Sequence, residues 1–263
     1  MAPSPIVETL RAAGCVFAEE EAELLLASAG TPEELRAMVE RRVTGLPLEH
    51  VVGWAEFCGL RVAVDVGVFV PRRRTELLAR EAIALAREAV AVNGGPATVL
   101  DMCCGSGAVG AAIARTVPGI SLVAADLDPV AVRCARRNLE PLGAEVFAGD
   151  LFTALPERLR GRVDVLVANV PYVPSAAVPL LPAEARLFEP RGALDGGADG
   201  LDLLRRVSGE APRWLAPGGH LLFEVSPDQV PAAREAVLRA GLRPRVVRDD
   251  EPPAIALVAT PAR

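Results

Sequence analysis

The chain has 263 residues, of which 51% are hydrophobic and 24% charged. At roughly 150 residues per domain the length corresponds to about 1.8 domains, too much for a small binding module, and the apolar content excludes disorder as the main state. The formal net charge is −6 and all 28 basic residues are Arg, so the chain lacks the overall basic field of a general nucleic-acid binder.

Five Cys, an odd number in a chain long enough to build its own core, argue against a disulfide framework and for a reducing cytoplasm. The two His, His50 and His220, and the lack of paired C-x-x-C motifs make a metal site an unfavourable reading. Met1-Ala2-Pro3-Ser4-Pro5 has no basic segment followed by an apolar run, so no secretory signal is expected. No stretch approaches about 18 uninterrupted apolar residues, so no membrane span is expected either.

In chain order, residues 5–45 read as helical. Thr31-Pro32-Glu33-Glu34 is a helix start, with Thr as N-cap, Pro at the first helical position and acids in the first turn. Residues 48–71 change to a valine-rich pattern broken by glycines. The alternation of Leu60-Arg61-Val62-Ala63-Val64-Asp65-Val66 predicts one strand of a hairpin. A helix is expected over 75–92. From residue 98 strands and helices alternate: strands over 98–101, 121–126, 144–147, 163–168 and 220–225, and helices over 105–117, 128–139, 201–215 and 227–240. A closing strand pair over 243–248 and 254–260 follows. Such alternation predicts a parallel sheet covered on both faces. The segment 170–200 is rich in Pro and Gly and has little periodicity, and a loop of that length in a compact domain is usually functional or disordered.

Four motifs carry chemistry. Val99-Leu100-Asp101-Met102-Cys103-Cys104-Gly105-Ser106-Gly107 runs from a strand through a Gly-rich turn into a helix, a place where backbone can approach a ligand closely. Asp126 ends the next strand, where a carboxylate can accept both ribose hydroxyls of a nucleoside cofactor. Because Gly105-Ser106-Gly107-Ala108-Val109-Gly110 also spells G-x-G-x-x-G, a nicotinamide-dependent dehydrogenase stays open at this point, as does a tight turn with no ligand. Gly149-Asp150-Leu151-Phe152 follows the third strand. Its Asp can accept from an exocyclic adenine amine and its next backbone N–H can meet a ring nitrogen, although alone it reads equally as an Asx turn. Asn169-Val170-Pro171-Tyr172 follows the fourth strand. The Asn side-chain oxygen and the carbonyl of residue 170 are two acceptors that match the two hydrogens of a planar –NH₂, which favours amine or amide methylation over hydride transfer.

In this order the four motifs resemble those of class I S-adenosylmethionine-dependent methyltransferases of the amino-methylating N-P-P-Y type. The chain as a whole is similar to the PrmC/HemK family of protein-(glutamine-N5) methyltransferases, which modify the Gln of the Gly-Gly-Gln motif in peptide chain release factors. Further segments carry that resemblance: Pro47–Gly53 and Glu56–Leu60 for the hairpin, Phe69-Val70-Pro71-Arg72 and Thr75-Glu76-Leu77-Leu78 at the start of the catalytic domain, and Glu189-Pro190-Arg191, Ala193-Leu194, Gly196-Gly197 and Asp199-Gly200-Leu201 after the N-P-P-Y turn. The chain departs from the family pattern at Val170, which replaces Pro, and at Arg73 and Arg74, which replace Pro and an acid. It also lacks the His-Gly pattern within Phe223–Gln229, and its N-terminal helical arm is short.

The resemblance implies an α/β fold with a Rossmann-like seven-stranded sheet, a helical substrate-recognition domain over 1–46, a β-hairpin linker over 47–74 and the methyltransferase domain over 75–263. It implies S-adenosyl-L-methionine as cofactor, met by Asp101, Cys103, Gly105, Gly107, Asp126, Leu127, Asp150, Leu151 and Asn169. The catalytic turn is Asn169, Val170, Pro171 and Tyr172, with Tyr172 packing on the acceptor side chain and no general base. Cys103 and Cys104 are expected as small wall residues, both His as structural, and no metal is expected. The expected partner is a release factor acted on in the cytoplasm by a monomer, with neither membrane nor stable nucleic-acid binding. Two alternatives stay open: a paralogue methylating another protein, a small molecule or an exocyclic base amine, and a non-catalytic nucleotide-binding protein with the same fold.

Overall fold

The structure, a computed structural model, describes residues 5–261. Three helices open the chain, α1 (Pro5–Ala12), α2 (Ala18–Ser28) and α3 (Pro32–Val43). The expected cap is present: the Thr31 hydroxyl accepts from the Glu34 N–H at 3.1 Å. Val7, Leu10, Leu25, Leu46 and Val51 form a small apolar core among these helices, and Phe188 from much later in the chain packs against it.

Residues 48–52, which the sequence groups with the strand-like region, instead form a short helix α4 (Leu48–Val52) that ends at Gly53 in the left-handed region, φ 83°. A hairpin follows, β1 (Trp54–Phe57) against β2 (Leu60–Ala63). The strand expected to reach Val66 stops at Ala63. Beyond it the Val64 N–H donates to the Gly53 carbonyl, and Val64, Val68 and Val70 turn inward onto Cys134.

Helix α5 (Glu76–Asn93) leads into the sheet. In order come β3 (Ala97–Met102), α6 (Ala108–Thr116), β4 (Ile120–Asp126), α7 (Pro129–Leu139), β5 (Glu145–Ala148), β6 (Val163–Ala168), α8 (Ala183–Phe188), α9 (Asp202–Glu210), β7 (Leu215–Glu224), α10 (Val230–Arg239), β8 (Leu242–Asp250) and β9 (Pro253–Pro261). The seven strands lie in the order β5-β4-β3-β6-β7-β9-β8, and β9 alone is reversed, antiparallel to both of its neighbours β7 and β8. Side chains alternate across each strand. Val99, Val165, Val167 and Leu222 face α5 and α6, while Leu100, Met102, Leu166 and Phe223 face α9 and α10. The five parallel strands therefore deliver their C-terminal ends to one edge. The helix expected from 105 starts only at Ala108, and the Pro/Gly-rich segment 170–200 contains α8, set between Pro182 and Pro190.

Arg42 fastens the N-terminal helices to α8. Its guanidinium is 2.6 Å and 3.0 Å from the two oxygens of buried Glu21, 2.6 Å from Glu184, and it donates to the Leu46 carbonyl at 3.1 Å. Removing one partner of a buried pair leaves the other charge uncompensated, which costs about 3–5 kcal/mol. Arg42→Met is expected to lower the unfolding free energy by about that amount in urea titration, and a loss below about 1 kcal/mol would show the pair to be solvated.

Candidate active site

A cavity of about 810 Å³ opens at the C-terminal edge of the parallel strands. Its size suits a nucleoside-bearing small molecule together with part of an acceptor. The sequence-predicted residues Asp101, Cys103, Gly105, Asp126, Leu127, Asp150, Asn169, Val170, Pro171 and Tyr172 all line it, although they come from four strand ends. Gly107 and Leu151 do not. A Cβ on Gly107, where φ is 78°, would lie 2.8 Å from the Leu139 side chain, so this glycine is required for the fit of the loop on α7. Leu151 is buried among Phe152, Leu155 and Met102 beneath the site, with a positive φ of 49°.

The Asp101 carboxylate is buried at the end of β3 and accepts the Gly110 N–H of α6 at 2.8 Å. Burial pushes its pKa up to about 7, the Gly110 bond opposes the rise and Asp126 adds to it. Asp126 spans the Gly-rich turn: one oxygen accepts the Gly105 N–H at 2.8 Å and the other the Asp128 N–H at 2.9 Å. Each oxygen keeps a lone pair for a ligand hydroxyl. Burial raises the Asp126 pKa, and these backbone bonds hold it back. Cys103 sits in the same turn at φ 57°, a conformation that non-glycine residues rarely adopt outside sites where surrounding structure enforces it. Burial raises the thiols of both Cys103 and Cys104, which leaves neither as a thiolate nucleophile.

Across the cavity Asp150 forms an ion pair with Arg206 of α9 at 2.7 Å, and both residues line the wall. Sequence reasoning missed Arg206, which lies 56 residues beyond its partner.

The Asn169–Tyr172 turn is held from outside by the segment that follows it. Val173 pairs with Asp195, and the Val173 N–H donates to Leu194 while the Val173 carbonyl accepts from Gly196. The Gln229 amide donates to the carbonyls of Tyr172 at 2.7 Å and Asp199 at 3.0 Å. At Gly200, φ 79°, a Cβ would collide with the Tyr172 carbonyl and the Gln229 amide, which accounts for glycine there. These contacts use the outer carbonyls of the turn. Among the described residues no backbone N–H donates to the Val170 carbonyl, and Val170 lines the cavity beside the half-buried Asn169.

Beyond Asn169 the cavity is walled by Phe69, Pro71, Arg72, Arg74, Thr75 and Tyr172. Glu189, buried, accepts from the Val70 N–H at 3.1 Å and pairs with Arg72 at 2.6 Å, so the Glu-Pro-Arg motif pins the 69–72 segment as a side of the site. Both His lie outside the cavity lining. His50 is bonded to the Val68 carbonyl at 2.8 Å, and His220 stands within β7, where burial lowers its pKa.

The described residues include no cluster that could hold a metal ion, and no described helix is long and apolar enough to cross a membrane. A Gly-rich turn bridged by Asp126, a wall carboxylate at Asp150 and acceptors at Asn169 and Val170 suit a nucleoside cofactor that presents an electrophile to a nitrogen. The methyltransferase small domain family matches residues 78–190. A methyltransferase from Pyrococcus furiosus superposes with a TM-score of 0.57 over 85% of this chain and 96% of that one, at 17% identity, which shows the shared fold. Fold and site together define a class I S-adenosylmethionine-dependent methyltransferase. The release factor glutamine methyltransferase of Geobacter sulfurreducens is 40% identical over 215 residues, 80% of this chain and 72% of the relative. The 4-amino-L-phenylalanine/4-methylamino-L-phenylalanine methyltransferase of Streptomyces pristinaespiralis is 38% identical over 231 residues, 88% of this chain and 78% of the relative. The chain belongs to the family of the release factor glutamine methyltransferases.

The Asp101 carboxyl, with an ordinary pKa of 3.8 that rises to about 7 on folding, binds its proton more tightly in the folded state. It therefore adds stability that is complete below about pH 4 and is lost as pH rises through about 7. Without cofactor, the thermal midpoint of the wild type is expected to fall relative to that of Asp101→Asn across that window. Parallel curves for the two proteins would mean that Asp101 is ionised throughout.

Proposed function

We propose that the protein transfers a methyl group from S-adenosylmethionine to the side-chain amide nitrogen of a protein glutamine, in the Gly-Gly-Gln motif of a peptide chain release factor. The observation that carries this reading is the pair of open acceptors, the Asn169 side-chain oxygen and the Val170 carbonyl, at the cavity end walled by Tyr172. Family membership supports the substrate, as do the Glu189–Leu201 contacts that brace the turn.

The cofactor supplies a methyl group already activated by its positive sulfur. Asp126 would hold the ribose hydroxyls, Asp150 would meet the adenine and Leu127, exposed at the rim, would cover it; Leu151, buried beneath the site, would reach the adenine only through its backbone N–H. Asp101, Cys103 and Gly105 shape the wall beside the cofactor's amino-acid end, and Gly107 lets that wall seat on α7. Asn169 and Val170 hold both hydrogens of the acceptor –NH₂ and aim its lone pair. Those hydrogens become more acidic as the nitrogen attacks, so the two bonds strengthen toward the transition state. Pro171 stiffens the turn, and Tyr172 packs against the acceptor. Orientation of this kind supplies several kcal/mol without a general base. Val170 in place of the family's Pro keeps the carbonyl and gives up some rigidity. On this reading the enzyme works in the cytoplasm as a monomer, without membrane or stable nucleic-acid partners.

The relative from Streptomyces pristinaespiralis supports a second reading, an aromatic amine of a free amino acid as acceptor. One experiment separates the two. The enzyme is incubated with labelled cofactor and either a release factor or 4-amino-L-phenylalanine, and products are read by mass spectrometry. Label on the Gly-Gly-Gln peptide alone is expected, whereas label on the amino acid alone would replace the protein substrate.

A further inference from the structure

At the acceptor end of the cavity lies a cluster that the sequence motifs do not reveal. The Glu224 carboxylate, at the last position of β7, is only 4% exposed. It accepts from the Tyr172 hydroxyl at 2.7 Å, the Arg74 Nε at 3.0 Å and the Thr75 hydroxyl at 2.6 Å. Arg74 Nε also donates to the Tyr172 hydroxyl at 2.9 Å, and its guanidinium lies over the Tyr172 ring, 5.9 Å from the centroid. Three segments converge on one buried charge: the end of β7, the turn after β6 and the residues that lead into α5.

We infer that Glu224 is a positioning residue for methyl transfer, acting through the phenol of Tyr172 to fix the ring that flanks the acceptor nitrogen. This rests on the glutamine reading for the identity of the acceptor and on geometry for the rest.

A buried carboxylate needs donors for its lone pairs, and charge-assisted bonds are the strong ones. Glu224 has three such donors, all from residues that line the cavity. A tyrosine with a free hydroxyl could turn about its side-chain bonds. Here the hydroxyl is held at its far end while the Gln229 amide holds the backbone carbonyl of the same residue at 2.7 Å. The ring is thus fixed at both ends beside the open acceptors Asn169 and Val170. Burial, and after it the Glu224 charge, push the phenol's pKa upward, so the hydroxyl remains the donor in this bond throughout the neutral range. Arg74, which replaces the family's acid, balances the buried charge from the half-exposed side of the cluster. An acid there would face Glu224 with a like charge, so Arg74 and the Glu224–Tyr172 bond belong together.

Tyr172 is the single Tyr of the chain, which gives the bond a direct readout. Protein carrying ring-labelled tyrosine shows one set of Tyr172 resonances in NMR. Glu224→Gln keeps the side-chain shape and removes the charge, and Tyr172→Phe removes only the hydroxyl. The Tyr172 resonance is expected to shift and broaden in Glu224→Gln. Each single variant should transfer methyl about 10–100-fold more slowly, since small misplacements near the chemistry cost up to about that much. Binding of S-adenosylhomocysteine should stay within about twofold of wild type, and the double variant should be no slower than the worse single. Loss of rate together with cofactor affinity, or multiplying losses in the double variant, would show a general structural role and overturn the inference. So would an unshifted Tyr172 resonance or an unchanged rate in Glu224→Gln. If the wild-type protein fails to label the release factor, the substrate reading falls and the resonance alone decides the role of Glu224.

Discussion

The parallel pairing of β5, β4, β3, β6 and β7 is the constraint on which the rest of the molecule depends. Parallel strands all end at the same edge, so whatever residue follows each strand is brought to one place however far apart it lies in the chain. Asp101 is the penultimate residue of β3, Asp126 closes β4, Asp150 comes two residues after β5, Asn169 follows β6 directly, and Glu224 closes β7. Asp101, Asp126, Asp150 and Asn169 meet on the lining of a single cavity as a result, and Glu224 is bonded to three residues of its wall, Tyr172, Arg74 and Thr75. The hydrophobic faces that bury Val99 and Leu100 on opposite sides of the sheet hold this edge in place.

The edge has two electrostatic characters. On the side of β3, β4 and β5, Asp101 and Asp126 accept backbone N–H groups, and burial, joined at Asp101 by the Asp126 charge, raises the pKa of both, which suits them to receive a ligand that brings donors. On the side of β6 and β7 the one buried carboxylate is already satisfied by Tyr172, Arg74 and Thr75. What that side offers a ligand is a pair of neutral acceptors, Asn169 and Val170, backed by a fixed ring. An –NH₂ group matches such acceptors better than a cation or an anion does. Much of the chain outside the sheet serves to hold this second side: Glu189 and Arg72 fix the 69–72 segment, Gln229 and the glycines around Gly200 brace the turn, and Arg42 ties α8 to the N-terminal helices.

What could be read from the sequence follows from distance along the chain. Asp101, Asp126, Asp150 and Asn169 are legible because a strand and the turn after it are neighbours, and an apolar run that leads into Asp, Gly-Asp or Asn-x-Pro announces both at once. The alternation of strands and helices announced the parallel sheet in the same way. The Arg74–Tyr172–Glu224 cluster spans separations of 98 and 150 residues, and the Glu189–Val70 bond spans 119, so no local spacing foretells them. Glu224 lies in an otherwise apolar strand pattern and Arg72, Arg73 and Arg74 are three consecutive charges, and neither pattern marks a buried pairing. Two of those three in fact bind buried carboxylates. Gly107 belongs to a ligand-binding motif by its letters, and the close contact that requires glycine there is with Leu139. The helix α4 was lost among valines because a five-residue helix is too short to show a period.

The central claim is that Asn169, with the neighbouring carbonyl, holds the acceptor nitrogen rather than the cofactor. Methyl transfer and S-adenosylhomocysteine affinity measured side by side for Asn169→Ala test it most directly. The account predicts an affinity within a few-fold of wild type and a transfer rate at least about 100-fold lower. An Asn169→Ala variant that binds the cofactor product normally and still transfers methyl at the wild-type rate would contradict it.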